Sequence, residues 1–215
     1  MDPAWALLKS SGHEQIILLC IAVYFAAASW AFGDSLSFDL TVAAGRHERN
    51  NVPGGHLIEF VSRLRSLSGR VRFDGDPQHA GFQFRAHNDV DAFTSQETIY
   101  VRPDGIGKPG ETRNWNPQTR QGPADLPWNA MSFVLGGKRY TVAYLDHPGN
   151  PKEARFSERE YGRFGSYFEY TIEQDKPLKV NYRLWLQEGL MQPEEVAALS
   201  NNFVEPVKVT VHEPK

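Results

Sequence analysis

From Phe38 onward, apolar and polar residues alternate in short runs broken by Pro, Gly, Asn and Asp, the period of half-buried β-strands. Leu178, Val180, Tyr182, Leu184 and Leu186 fall on one parity, and Lys179, Asn181, Arg183, Trp185 and Gln187 on the other, which predicts a strand over Pro177–Gln187 with the first set inward. Gln78–Asn88 divides the same way, with Phe82, Phe84 and Ala86 opposed to His79, Gln83, Arg85 and His87. Ala130–Leu135 and Lys138–Leu145 flank Gly136-Gly137 and predict a tight hairpin. His56–Leu67 is apolar on both parities, as expected of a central strand covered on both faces. Shorter runs predict strands at Phe38–Ala43, Arg70–Phe73, Glu97–Arg102, Gly165–Glu173 and Val207–Val211. Gly45–Gly55 reads as a polar loop, and Pro103–Pro127 as a long irregular stretch of the kind that is functional or disordered. Pro193–Asn201 predicts the one soluble helix, with proline in its first turn and Glu194-Glu195 at its positive end.

These elements predict an all-β, antiparallel sandwich over residues 38–215 with a short C-terminal helix. Residues 1–37 form a separate hydrophobic segment and lead-in. Its uncharged run Ile16–Phe32 reads as an N-terminal helix acting as signal peptide or anchor, so the chain is expected to be exported to the periplasm or beyond, with membrane attachment left open. A buried helix packed on the sandwich is the alternative.

Composition narrows the function. A net charge of -3 without a long basic run argues against a nucleic-acid surface. The single cysteine, Cys20, allows neither an intrachain disulfide nor a cysteine-based metal site. On an extended strand His79 and His87 would stand about 27 Å apart, too far to share an ion, so no metal and no cofactor is expected.

Candidate chemistry centres on Tyr140–Tyr170. The strand there ends in Asp146-His147-Pro148-Gly149-Asn150-Pro151, placing a carboxyl and an imidazole at a sheet end, and His79, Asp146 and His147 become candidate acid–base groups. Gln83, Arg85, His87, Arg155, Tyr161 and Arg163 supply a polar and aromatic row for binding substrate. In the long irregular stretch, Arg113 and Trp115, with Asn129 beyond it, have the composition of a sugar subsite, an indole face among paired donors and acceptors. The alternatives are that Asp146 caps a turn, that the arginines pair with surface glutamates, and that Trp115 folds back over the core edge.

The segments Phe73–Ala86, Arg102–Pro117, Leu126–Tyr170 and Pro177–Gly189 together resemble the bacterial family labelled "methane oxygenase PmoA", a domain of unknown function, over about residues 38–215. The resemblance implies a sandwich similar to the galactose-mutarotase supersandwich, in exported proteins that accompany carbohydrate-degrading enzymes. It covers the family's C-terminal half, since the Pro-His-His-Arg-Gly segment of the N-terminal half has no counterpart here. Self-association is expected if a partner half-sandwich is missing. Methane oxygenation itself conflicts with a chain offering at most one spanning segment. Two readings therefore stand: an enzyme or enzyme remnant acting on a sugar through His and Asp, and a non-catalytic glycan-binding module.

Overall fold

The computed structural model describes residues 20–24, 36–49, 52–67, 69–73 and 81–206. In chain order the strands are β1 (Cys20–Tyr24), β2 (Leu36–Arg49), β3 (Val52–Ser66), β4 (Val71–Phe73), β5 (Gly81–Arg85), β6 (Ile99–Arg102), β7 (Gly105–Ile106), β8 (Trp128–Leu135), β9 (Lys138–Asp146), β10 (Arg155–Arg159), β11 (Arg163–Tyr167), β12 (Tyr170–Ile172) and β13 (Leu178–Glu188), followed by helix α1 (Pro193–Val204). A seven-stranded sheet of order β2-β3-β13-β9-β8-β6-β7 faces a four-stranded sheet of order β1-β5-β11-β10, and β4 pairs with β12 in a two-stranded ribbon. All the strand pairs are antiparallel.

The two larger sheets meet over an aromatic core. Phe82 from β5 stacks on Tyr182 from β13, with ring centroids 4.5 Å apart, and Phe60 from β3 lies 4.6 Å from Phe82. Such pairs contribute about 0.5–1.5 kcal/mol each beyond the area they bury. Phe82, Phe84 and Ala86 are buried as their parity predicts, and so are all five inward residues of β13. The other face of the large sheet is covered by α1, which packs Val196 and Phe203 with Trp128, Leu145 and Trp185. Gln192 and Glu195 form the reciprocal capping box that starts this helix.

Several expectations are corrected. The polar stretch Gly45–Gly55 is not a loop: β2 and β3 continue as one long hairpin, pairing Gly45 with Leu57 and Arg49 with Val52. Ladder bonds come from the backbone, and a pair at the sheet margin tolerates polar side chains. β3 is covered on its second face only toward its start, where Leu57 packs with the cluster under α1; farther along Val61 is 45% exposed, while Ile58, Phe60 and Leu64 are buried on the first face. Arg70–Phe73 does not extend the main sheet, and Gly165–Glu173 is two strands, since the chain leaves the four-stranded sheet after Tyr167 and pairs β12 with β4.

The expected helix over Ile16–Phe32 is represented among the described residues by Cys20–Tyr24, and these are extended, paired along β5. Isoleucine, valine and tyrosine favour that conformation, and β5 offers an edge to pair with. The rest of that run, His79 and Val207–Val211 lie outside the described residues. No helix among the described residues is long and apolar enough to cross a membrane.

Candidate functional site

Successive residues on a strand point to opposite faces, and this separates the two groups expected to act together. Asp146, the last residue of β9, shares the parity of Val142 and Tyr144 and points between the sheets, directly opposite Tyr182. Its carboxyl is buried, with Oδ1 accepting from Asn150 Nδ2 at 2.6 Å and Oδ2 accepting no hydrogen bond. Lys152 Nζ approaches Oδ2 at 3.8 Å. Burial raises this carboxyl from the ordinary 3.8 to about 6, against the pull of Lys152 and Asn150. His147 turns to the opposite side, where its ring meets Phe203 of α1 edge-on at 5.2 Å and Nδ1 accepts the Gly149 N–H at 3.0 Å. The pair is therefore not a dyad. The turn is closed instead by Asn150, whose side chain bonds both the N–H and the carbonyl of Asn181.

The polar row of β5 lies on the outer side of the four-stranded sheet. Arg85 stands opposite Arg163 of β11, and Arg163 opposite Arg159 of β10. The Tyr161 ring lies 5.3 Å from the Arg85 guanidinium and 5.6 Å from that of Arg163. Gln83 is buried on the same face. His87 follows β5 and is half-buried beside Asp89, 3.4 Å away. At the other end of the face, Arg155 pairs with Glu153 and Glu169 at 2.8 Å each and lies over Trp115 and Tyr167. Trp115 thus folds back over the sheet, and its indole is covered by Arg155 rather than offered to a ligand. Arg85 and Asp146 belong to different sheets and face different sides, so the polar row and the candidate acid–base carboxyl do not share one pocket.

A cleft does form elsewhere, on the long irregular stretch, which is ordered by its bonds to β10. The Trp115 N–H donates to the Phe156 carbonyl at 3.0 Å, and the Phe156 N–H donates to the Pro123 carbonyl at 2.9 Å. The cleft measures about 640 Å³ and is lined by Pro103, Pro123 and Leu126 on the apolar side and by Arg102, Asp104, Arg113 and Asn114 on the polar side. Beneath it lies an ion pair that runs from β6 to β10. Arg102 Nε and Nη2 donate to the two oxygens of Glu158 at 2.9 and 2.7 Å, with both residues at most 2% exposed. Asn129 Nδ2 and the Arg113 N–H donate to the same carboxylate at 3.0 and 2.7 Å. Asn129 therefore holds the floor and Arg113 the rim.

At the rim, Arg113 Nη1 donates to Asp104 at 2.5 Å and its Nε donates to Glu111 at 3.1 Å. The Arg113 hydrogen bond holds the Asp104 carboxyl below the usual range, and the Lys108 N–H followed by Arg113 does the same for Glu111. Both stay ionised at neutral pH and accept hydrogen bonds without exchanging protons. Sequence reasoning missed Arg102, Asp104 and Glu158. One signal was present: Arg102 and Glu158 share the parities of Tyr100 and Phe156, so opposite charges sit at inward positions of two strands. Among the described residues no group of three or more His, Cys, Asp or Glu side chains is placed to hold a metal ion.

The model of a family described as of unknown function, DUF6807, matches residues 38–201. The chain belongs to that family. No curated protein and no solved structure matches. The resemblance to the PmoA-labelled family is thereby corrected: Phe73–Ala86, Arg102–Pro117, Leu126–Tyr170 and Pro177–Gly189, which carried it, fall within the DUF6807 match, and no kinship with PmoA follows from them. DUF6807 implies no activity, so the function must be argued from the cleft itself.

Proposed function

We propose that this domain is a glycan-binding β-sandwich module whose ligand enters the cleft between Pro103, Arg113 and Pro123. The observation that carries the reading is the lining. Flat prolyl faces stand beside planar polar side chains, Asp104, Arg113 and Asn114, which is what a pyranose ring with its hydroxyls requires. The carboxylate on that lining is held ionised by Arg113, which suits acceptance of hydroxyl protons and not general acid catalysis. Asp146, the carboxyl raised toward neutrality, points between the sheets instead and does not line the cleft. The finer architectural expectation, a sandwich of the galactose-mutarotase type, and an exported location belong to the same proposal.

The test is a glycan array followed by titration calorimetry on the full chain. Arg113→Ala and Asp104→Asn are expected to weaken a bound oligosaccharide by roughly tenfold or more, since each removes a charge-assisted hydrogen bond. Unfolding midpoints should stay close to the parent's, because both side chains are largely exposed. Turnover of a bound sugar that disappears in Asp146→Asn would instead establish the enzyme reading.

A further inference from the structure

We infer that the arginine row on the outer side of the four-stranded sheet is an oxyanion site, and that the saccharide bound in the neighbouring cleft is therefore an acidic one. The inference rests on the glycan-binding reading above and adds the class of sugar.

Three observations carry it. First, Arg159, Arg163 and Arg85 occupy directly opposed positions on three adjacent strands, which sets like charges at about the 4.8 Å strand spacing. Arg85 is held by the Val90 and Tyr161 carbonyls, so the charge open to a ligand lies at Arg159 and Arg163, like charges on neighbouring strands. Secondly, Arg72, Arg102, Arg113, Arg155 and Arg183 each meet a carboxylate, whereas Arg159 and Arg163 meet none among the described residues. Nε and Nη2 of Arg163 are buried donors without an acceptor. Arg163 is half-buried and packs on the Tyr161 ring, so part of its guanidinium still reaches solvent, where the carboxylate that the other arginines have can be supplied by a ligand. In a chain of net charge -3 the row is a local exception, as a built anion site would be. Thirdly, the row adjoins the cleft. Asn114, on the cleft lining, accepts from Arg159 Nη1 at 3.2 Å, so one ligand can span both.

Carboxylates of uronic acids and sulfate esters share this oxyanion chemistry, and the experiment separates them. Binding of tetragalacturonate, a chondroitin sulfate tetrasaccharide and neutral maltotetraose is measured by calorimetry on the full chain and on Arg159→Gln, Arg163→Gln and Arg163→Lys. The expected result is that one acidic probe binds, that each Gln variant weakens it by roughly tenfold, and that Arg163→Lys restores part of the loss. The acidic probe's affinity should also fall with added salt. Equal affinity for the neutral and acidic probes, unchanged in Arg163→Gln, would overturn the inference and leave the glycan-binding reading intact. No binding of any probe, together with an array on which Arg113→Ala changes nothing, would overturn both. Circular dichroism of each variant confirms that the sheet is retained.

Discussion

Glu158→Ala is expected to cost about 3–5 kcal/mol of stability, because it leaves the buried Arg102 with only the more distant and more exposed Glu111 as counter-ion. The carboxylate takes four donors, from Arg102 Nε and Nη2, Asn129 Nδ2 and the Arg113 N–H. Alanine takes this acceptor from all four and leaves Arg102 only Glu111, whose carbonyl accepts from Nη2 at 3.2 Å and whose carboxylate lies 3.5 Å from Nη1. Glu158→Gln keeps an acceptor and should lose less. The informative control is the pair Arg102→Met and Glu158→Leu, which removes both charges together. If the double variant is near the parent while the single alanine variant is severely destabilised, the loss comes from the orphaned charge and not from a large intrinsic contribution of the pair. Urea unfolding measures all four proteins, and a loss under about 1 kcal/mol for Glu158→Ala would contradict the buried geometry.

The second large effect has the opposite sign. Asp146 is ionised near neutral pH only against the cost of burial, and the difference between about 6 in the folded chain and 3.8 in the unfolded one corresponds to about 3 kcal/mol. Since the folded value is the higher, the folded state binds more protons between pH 3.8 and about 6. Stability therefore falls as pH rises through that window and levels off above it. Asp146→Asn removes the charge, keeps an oxygen for Asn150 Nδ2, and gives up only a distant attraction to Lys152, which is partly solvated. The variant is expected to be more stable than the parent by about 1–3 kcal/mol at pH 8 and to have lost the slope between pH 4 and 6. Urea titrations at pH 4.5 and 8 check this, and a less stable variant at pH 8 would show that the Lys152 pair outweighs the burial cost.

How much of this was legible depended on whether the signal was local. The β8–β9 hairpin could be read because Gly136-Gly137 supplies two consecutive positive φ angles, 59° and 76°, as the two-residue turn demands. The inward face of β13 could be read because five apolar residues hold one parity. The cover on its other face could not, since Trp185 among lysine, asparagine and arginine looks solvated until α1 returns over it. Asp146 and His147 looked like a pair because they are adjacent, although adjacency on a strand is what sends two side chains apart. Glu158 was hidden for a different reason. In Arg155–Arg159 it reads as one more surface charge, and its counter-ion lies 56 residues earlier in the chain. Trp115 had the composition of a ligand platform, but composition does not say which way a loop folds. The guanidinium row is intermediate, since its members were legible one by one while their alignment required the strand order.

The stretch between β7 and β8 also acts as the selvedge of the smaller sheet. Residues 114 and 124 bridge to 157 and 155, and the backbone of 115 and 123 saturates that of Phe156, so β10 has a finished border where a bare one would recruit a stranger's strand. The stretch that lines the proposed binding cleft thus also guards the sheet against association. Shortening this stretch would fray the border as well as reshape the cleft, so change in the cleft should proceed by exchanging side chains on the rim while the length of the stretch is kept.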